Sequence, residues 1–436
     1  MLRTALISLV LPLLCLGKPI VLEHVRLIDG ASAAAVEDAT IVMENGKIRA
    51  IGPSANVRIP TGADVVDLSG KTVVPGIINL HGHVGNVKGL EQARKHFTRE
   101  NVISVLRTYA RYGVTTTTSM GSDEDSMIEF RDERERNAFG GARVLTALQG
   151  FTSPGGYPTH VSGIKGVAQE VASASQAKVW VDKLADKGAN IVKMWIDSHH
   201  GQFTKIPPAT YNAIIKQAHK RGMLAFAHLY DLEDAKSLAK AGLDVIAHSV
   251  RDQEVDDELI SLLIKNDVTY AATLTREKAT YVYSDPPEWL NDKFLTMSVD
   301  ADVIRGARTQ LKAAQSDPRM IEQGQLDFEM AAKNLKRLAD AGVEIGFGTD
   351  TGPPGRFAGY FEHWEAELMV AAGMKPMDVI KAWSKTSARS LEIDREFGAL
   401  GQGKAADLVV LDENPLDDIR NTRSIHAVYI GGEKFE

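Results

Sequence analysis

Cysteine is nearly missing from this chain of 436 residues: the only one is Cys15. It falls in an N-terminal stretch read below as a leader, so the body of the protein has no thiol for a disulfide, a thiolate metal ligand or a nucleophile. Aromatic residues are scarce at 6%, and no segment is of low complexity. Basic charge is in deficit, with 50 Lys and Arg against 57 Asp and Glu and a formal charge of −7. That balance argues against nucleic acid or an anionic membrane surface as the main partner, because both select basic faces. Runs of like charge that would form an interaction tail are missing too. So is a glycine-rich phosphate loop after a strand, which weakens the doubly wound, nucleotide-binding reading of an α/β chain. The one long apolar run, 5–16, is too short to span a bilayer comfortably.

That run belongs to a leader. Met1-Leu2-Arg3 is a short basic start, and Cys15-Leu16-Gly17 places small residues where a signal peptidase inspects the chain. Residues 1–17 are therefore expected to be a signal peptide cleaved after Gly17, which predicts a secreted or periplasmic protein.

From 20 to 66 short alternating strands are separated by tight turns, one of them at Glu44-Asn45-Gly46. The C-terminus repeats the style at 406–411 and 427–430. These strand-rich ends predict one small composite β-sandwich domain assembled from 18–72 and 398–436. The middle, 73–397, alternates apolar strand-like runs with amphipathic helical stretches. Its strand candidates are 73–83, 113–120, 143–150, 190–196, 224–230, 244–249, 268–274 and 344–350. Between two of them, Leu232, Ala235, Leu238 and Ala239 share one helical face. Eight strand–helix units read as a (β/α)8 TIM barrel. Residues 276–325 interrupt the rhythm and carry Tyr281, Tyr283, Trp289 and Phe294. This insertion is either a lid or substrate wall, or a helical decoration.

Chemistry-bearing residues recur at the ends of the candidate strands. The first ends Leu80-His81-Gly82-His83, and side chains two apart on a strand point the same way. Neutral imidazole is a good ligand for zinc and related ions. Ala225-Phe226-Ala227-His228 closes the fifth, Val245-Ile246-Ala247-His248 the sixth, and Gly348-Thr349-Asp350 the eighth. The fourth places Lys193 inside an apolar run. Singly, each has an ordinary explanation: a hydrogen-bonded core histidine, a helix-capping aspartate, a lysine reaching solvent. Together they occupy the C-terminal face of one barrel, where barrel chemistry sits.

With these residues in order the chain resembles the amidohydrolase superfamily, in its imidazolonepropionase-like and Xaa-Pro-dipeptidase-like branch. The motifs are Pro75-Gly76 leading to His81-Gly82-His83, Gly113-Val114-Thr115-Thr116, Lys193, His228, His248 and Asp350. Ala372-Gly373-Met374-Lys375-Pro376 and Gly403-Lys404-Ala405-Ala406-Asp407-Leu408 match as well. The resemblance implies two divalent ions, zinc first. His81, His83 and Asp350 would hold one, His228 and His248 the second, and Lys193 would bridge them as a carbamate formed with carbon dioxide. It also implies a metal-bridging hydroxide as nucleophile, with Asp350 moving its proton to the leaving group. The implied reaction is hydrolysis of an amide or peptide-like bond in a small-molecule substrate, first a dipeptide or N-acyl amino acid. A cyclic amide or lactone is the alternative. An isomerase, a decarboxylase and a non-catalytic binding protein rank lower, because all six ligand positions are filled. A homo-oligomer is left open.

Two further groups are candidates for steadying an oxyanion or gripping a substrate carboxylate. Tyr230 lies two residues past His228 and resembles the His-x-Tyr pattern of dipeptidase-like members; otherwise it is a core tyrosine. His160 follows the third strand; otherwise it is a loop histidine. Arg356, beyond Asp350, is either a binder of a substrate α-carboxylate or, as the first reading, a solvated loop arginine, and His363 reads as a packing residue. After the second strand, where many relatives carry an Arg-Asp pair, this chain has Thr118-Ser119-Met120-Gly121. That departure weakens any transfer of substrate specificity.

Overall fold

Both ends of the chain build one sheet. In the computed structural model, which describes residues 18–436, Ile20–Leu27 pairs antiparallel with Val36–Glu44, and that strand with Lys47–Pro53. The intervening turn has φ of 52° at Asn45 and 78° at Gly46, two left-handed residues in succession, as a hairpin twisted like its strands requires. On its other side Ile20–Leu27 runs parallel first to Asp64–Asp67 and then to Thr72–Pro75. Thr72–Pro75 pairs antiparallel with Leu408–Leu411, which pairs with Ile425–Ile430. Hydrogen bonds run continuously through the eight strands, around a core that includes Leu22, Ile41, Leu408 and Val410. The leader 1–17, with its expected cleavage after Gly17, lies outside the described residues.

The apolar run 73–83, expected as one strand, is two. Thr72–Pro75 belongs to the composite sheet, beyond the boundary expected at 72, and Ile77–Gly82 is the first strand of the barrel. Gly76 makes the change of sheet. Its N–H donates to the Asp407 carbonyl at 3.1 Å. A Cβ at Gly76 would stand 2.3 Å from Thr115 Cγ2, closer than any side chain permits.

The barrel strands follow in chain order: Ile77–Gly82, Val114–Ser119, Arg143–Thr146, Ile191–Ile196, Leu224–Leu229, Val245–Ala247, Thr269–Ala271 and Ile345–Gly346. Neighbours are parallel. Asn190 N–H to the Thr146 carbonyl, 2.9 Å, joins the third strand to the fourth. Leu80 N–H to the Phe347 carbonyl and Asp350 N–H to the His81 carbonyl, both 2.7 Å, close the eighth strand onto the first. Helices pack outside, among them Leu232–Ala241, which buries the four residues expected on one face.

The sixth and eighth strands stop short of their expected ends. His248 (φ 140°) and Asp350 (φ 57°) lie past the ladder in conformations that leave the β region. The insertion is also not a single loop. It holds the helices Leu274–Ala279, Lys293–Thr296 and Ala301–Gly306, and the long helix Pro318–Asp340 begins within it. Tyr283, Leu290 and Leu295 pack with Tyr360 and Phe361 in a separate apolar cluster. Ser298, Val299, Asp300 and Val303 then line a cavity of about 300 Å³ shared with His83 and Arg356.

Candidate metal centre

Closure of the barrel brings together residues that are far apart in the chain. His81 sits in the first strand and His83 just beyond it. Their Nε2 atoms lie 3.5 and 3.0 Å from Oδ1 of Asp350. Lys193, fully buried in the fourth strand, places Nζ 3.3 Å from His81 Nε2. The ring of His248 is 4.5 Å from that of His81 and 4.4 Å from that of His228. The ligand atoms of His81, His248 and Asp350 lie within 4.8 Å of one another.

Burial sets the protonation of this group. It is the largest cause depressing His81 and His248 well below the ordinary imidazole range, and it takes His228 down to about 3. Lys193 falls to about 7 for the same reason, with the Asp350 charge opposing. Burial alone would raise Asp350. Arg356, His81 and His83 outweigh it and hold the carboxyl well below its usual range. Neutral imidazoles, an ionised carboxylate and an amine that loses its proton near neutrality are the forms in which these side chains bind metal. Nδ1 of His81 is buried with no hydrogen-bond partner, a costly state unless another group engages the ring. The donor set fits a divalent transition ion.

A layer of hydrogen bonds orients the rings. His83 Nδ1 is 3.0 Å from Ser122 Oγ, and His248 Nδ1 is 2.7 Å from Thr273 Oγ1. Such partners fix the ring that a metal would meet. The sequence reading missed Ser122, although it stands beside the departure at Thr118 to Gly121. Arg356 is not solvated: it donates to Oδ2 of Asp350 and lines the site. Asp197, also missed, has its Oδ2 2.8 Å from His228 Nε2. The available signal was an acid two residues past Trp195 and four past Lys193, on the same side of the strand.

A cavity of about 210 Å³ opens on this group, lined by His81, His83, Tyr157, Trp195, His228 and Arg356 among others. Tyr230 and His160 are not among its lining residues. The Tyr230 hydroxyl donates to Asp327 Oδ1 at 2.8 Å, and its ring lies over Arg251 at 4.6 Å. His160 is exposed and stacks on Phe203, 4.7 Å between centroids. His363 is buried elsewhere, with its ring nitrogens 2.9 Å from Thr422 Oγ1 and from the Tyr112 carbonyl. Arg276, in the helix Leu274–Ala279 that follows the seventh strand, donates to Glu277 Oε2 at 2.7 Å.

The model of the amidohydrolase family matches residues 72–434. The chain belongs to that family. Among similar proteins, ochratoxinase from Aspergillus niger is 24% identical over 57% of this chain and 47% of its own length, so about half of that relative is matched. Imidazolonepropionase from Streptomyces avermitilis is 24% identical over 86% of this chain and 81% of the relative. Among solved structures, an Xaa-Pro dipeptidase with bound methionine in the active site superposes with a TM-score of 0.77 at 21% identity, over 96% of this chain and 100% of that one. The structure of A. niger ochratoxinase gives a TM-score of 0.77 at 18% identity, over 96% of each chain. This amidohydrolase thus shares the barrel and β-domain architecture of those structures. Its likeness to imidazolonepropionase across most of both chains agrees with the branch that the motifs resemble.

Proposed function

We propose that this chain is an exported, metal-dependent hydrolase that cleaves an amide or peptide-like C–N bond of a small substrate, a dipeptide or an N-acyl amino acid. The observation carrying this reading is the convergence of Lys193, four histidines and Asp350 on one barrel end, with the buried histidines held neutral and Asp350 ionised. His81, His83 and Asp350 would hold one ion, zinc first, and His248 and His228 would serve a second. Ions held there would polarise a scissile carbonyl and lower the pKa of water from about 15.7 towards about 7.

The protein's own groups supply the rest. Lys193, neutral at a pH just above 7, keeps the lone pair needed to add carbon dioxide as a carbamate. Asp350 can accept a proton at Oδ1 and return it to the leaving nitrogen. Arg356, on the rim and already aimed at a carboxylate, offers a forked donor to a substrate α-carboxylate. A cavity of about 210 Å³ restricts the substrate to a small molecule. A relative named for a Xaa-Pro dipeptide supports the dipeptide choice. The second reading is a cyclic amide, favoured by the long match to imidazolonepropionase.

Purified protein would be assayed for metal content with and without bicarbonate, then screened against dipeptides, N-acyl amino acids, cyclic amides and lactones. The expected outcome is C–N hydrolysis that a chelator abolishes and added zinc restores, with metal lost in Lys193→Ala. Turnover that survives both chelation and Asp350→Asn would refute the proposal. Opening of lactones alone would replace the bond assigned to it.

A further inference from the structure

A second group of ligands stands beside the first. After the fourth strand the chain turns through Asp197-Ser198-His199-His200, with φ of 46° at His199 and 57° at His200. Left-handed residues other than glycine are uncommon. Here they fold His199 back over Asp197. The two oxygens of Asp197 divide the work: Oδ1 accepts the His199 backbone N–H at 2.7 Å, which builds the loop, while Oδ2 is presented to two imidazoles. Oδ2 is 2.8 Å from His228 Nε2 and 3.7 Å from His199 Nε2.

The three side chains are close enough for one ion to gather them: ligand atoms about 2.0–2.1 Å from a tetrahedral zinc stand roughly 3.3 Å apart, within about half an ångström of both separations. One ligand atom from each of Asp197, His199 and His228 lies within 4.8 Å of the others. Nε2 of His199 is buried and has no hydrogen-bond partner, so one of the three donor atoms is turned inwards with nothing to engage. Asp197 and His228 are both almost completely buried. Tyr157 roofs the group, its ring 4.1 Å from that of His199 and 5.2 Å from that of His228.

We propose that Asp197, His199 and His228 form an additional transition-metal site, distinct from the group of His81, His248 and Asp350. Two imidazoles and one carboxylate select zinc-like ions over magnesium or calcium, which prefer all-oxygen shells. His228 is common to both groups. With Nε2 directed at Asp197 it offers that nitrogen to the new site, while Nδ1 is left for the central group, whose His248 ring lies 4.4 Å away. The competing account of Asp197 is a carboxylate that only orients His228 through a shared proton. It leaves the inward-facing Nε2 of His199 without a role.

The test is metal stoichiometry on the full chain, independent of any substrate. Protein stripped by chelation and dialysed against zinc should hold one more equivalent in the wild type than in His199→Ala or His199→Gln. Cobalt loading should give visible d–d bands of which one low-coordinate component disappears in both variants and in Asp197→Asn. A His199→Phe variant, which keeps a ring against Tyr157 without a ligand nitrogen, separates loss of the ligand from loss of ring packing and should lose the same equivalent. Equal zinc in the wild type and the His199 variants, with unchanged cobalt bands, would overturn the site and leave Asp197 as an orienting carboxylate. That result would not touch the proposed hydrolysis, which rests on the central group.

Discussion

Arg356 donates a hydrogen bond to Oδ2 of Asp350, while His83 Nε2 stands 3.0 Å from Oδ1 of the same carboxylate. The guanidinium and the imidazoles together hold that carboxyl ionised against a burial that favours its neutral form.

Removing the guanidinium raises the Asp350 pKa, because a neighbouring positive charge stabilises the carboxylate. Arg356→Gln is expected to move the acid limb of the kcat/KM–pH profile to higher pH and to lower kcat/KM about 10- to 100-fold at neutral pH. Arg356→Lys should recover only part of this, since a point charge replaces a fork. An acid limb that stays in place would mean that Arg356 acts on substrate and not on Asp350.

Glu362 is buried behind the site and accepts hydrogen bonds from Asn79, Thr349, Thr351 and the Gly359 N–H. Burial, the largest cause, pushes it up to about 7 from the ordinary value of 4.5. The folded state therefore binds more protons than the unfolded chain across that window. Its contribution to stability is present below 4.5 and is lost as the pH rises through about 7. Thermal midpoints should fall across this range more steeply in the wild type than in Glu362→Gln. Parallel curves would remove Glu362 from the account of acid-side stability.

Asp407 ties the third barrel strand to the β domain. It pairs with Arg143 and accepts the Gly431 N–H at 2.7 Å. Deleting one partner of a largely buried pair leaves the other charge uncompensated. Asp407→Ala is expected to cost about 3 kcal/mol, read as a lower urea midpoint at unchanged slope. A midpoint shift below about 1 kcal/mol would mean that solvent replaces the carboxylate.

Much of this protein was legible in its sequence because period and order survive without contacts. Apolar runs ending in His81, Lys193, His228, His248 and Asp350 mark strands whose C-terminal ends share one face, and the Asn45-Gly46 turn and the helix Leu232–Ala241 follow from local pattern alone. Tertiary structure decided what periodicity cannot carry. The run 73–83 divides between two sheets because Gly76 meets Thr115, a contact across the fold. Tyr230 shares a strand face with His228 in the sequence pattern, yet its hydroxyl is taken by Asp327 from the long helix Pro318–Asp340. Arg356 looks like a loop cation until barrel closure sets Asp350 against the first strand. Asp197 becomes a partner of His228 only through the pairing of the fourth strand with the fifth, where Trp195 stands opposite His228. Side-chain alternation along a strand is a local property of the backbone. Which buried donor meets which acceptor depends on loops and on strand pairs far apart in the chain, and those are settled only when the barrel closes.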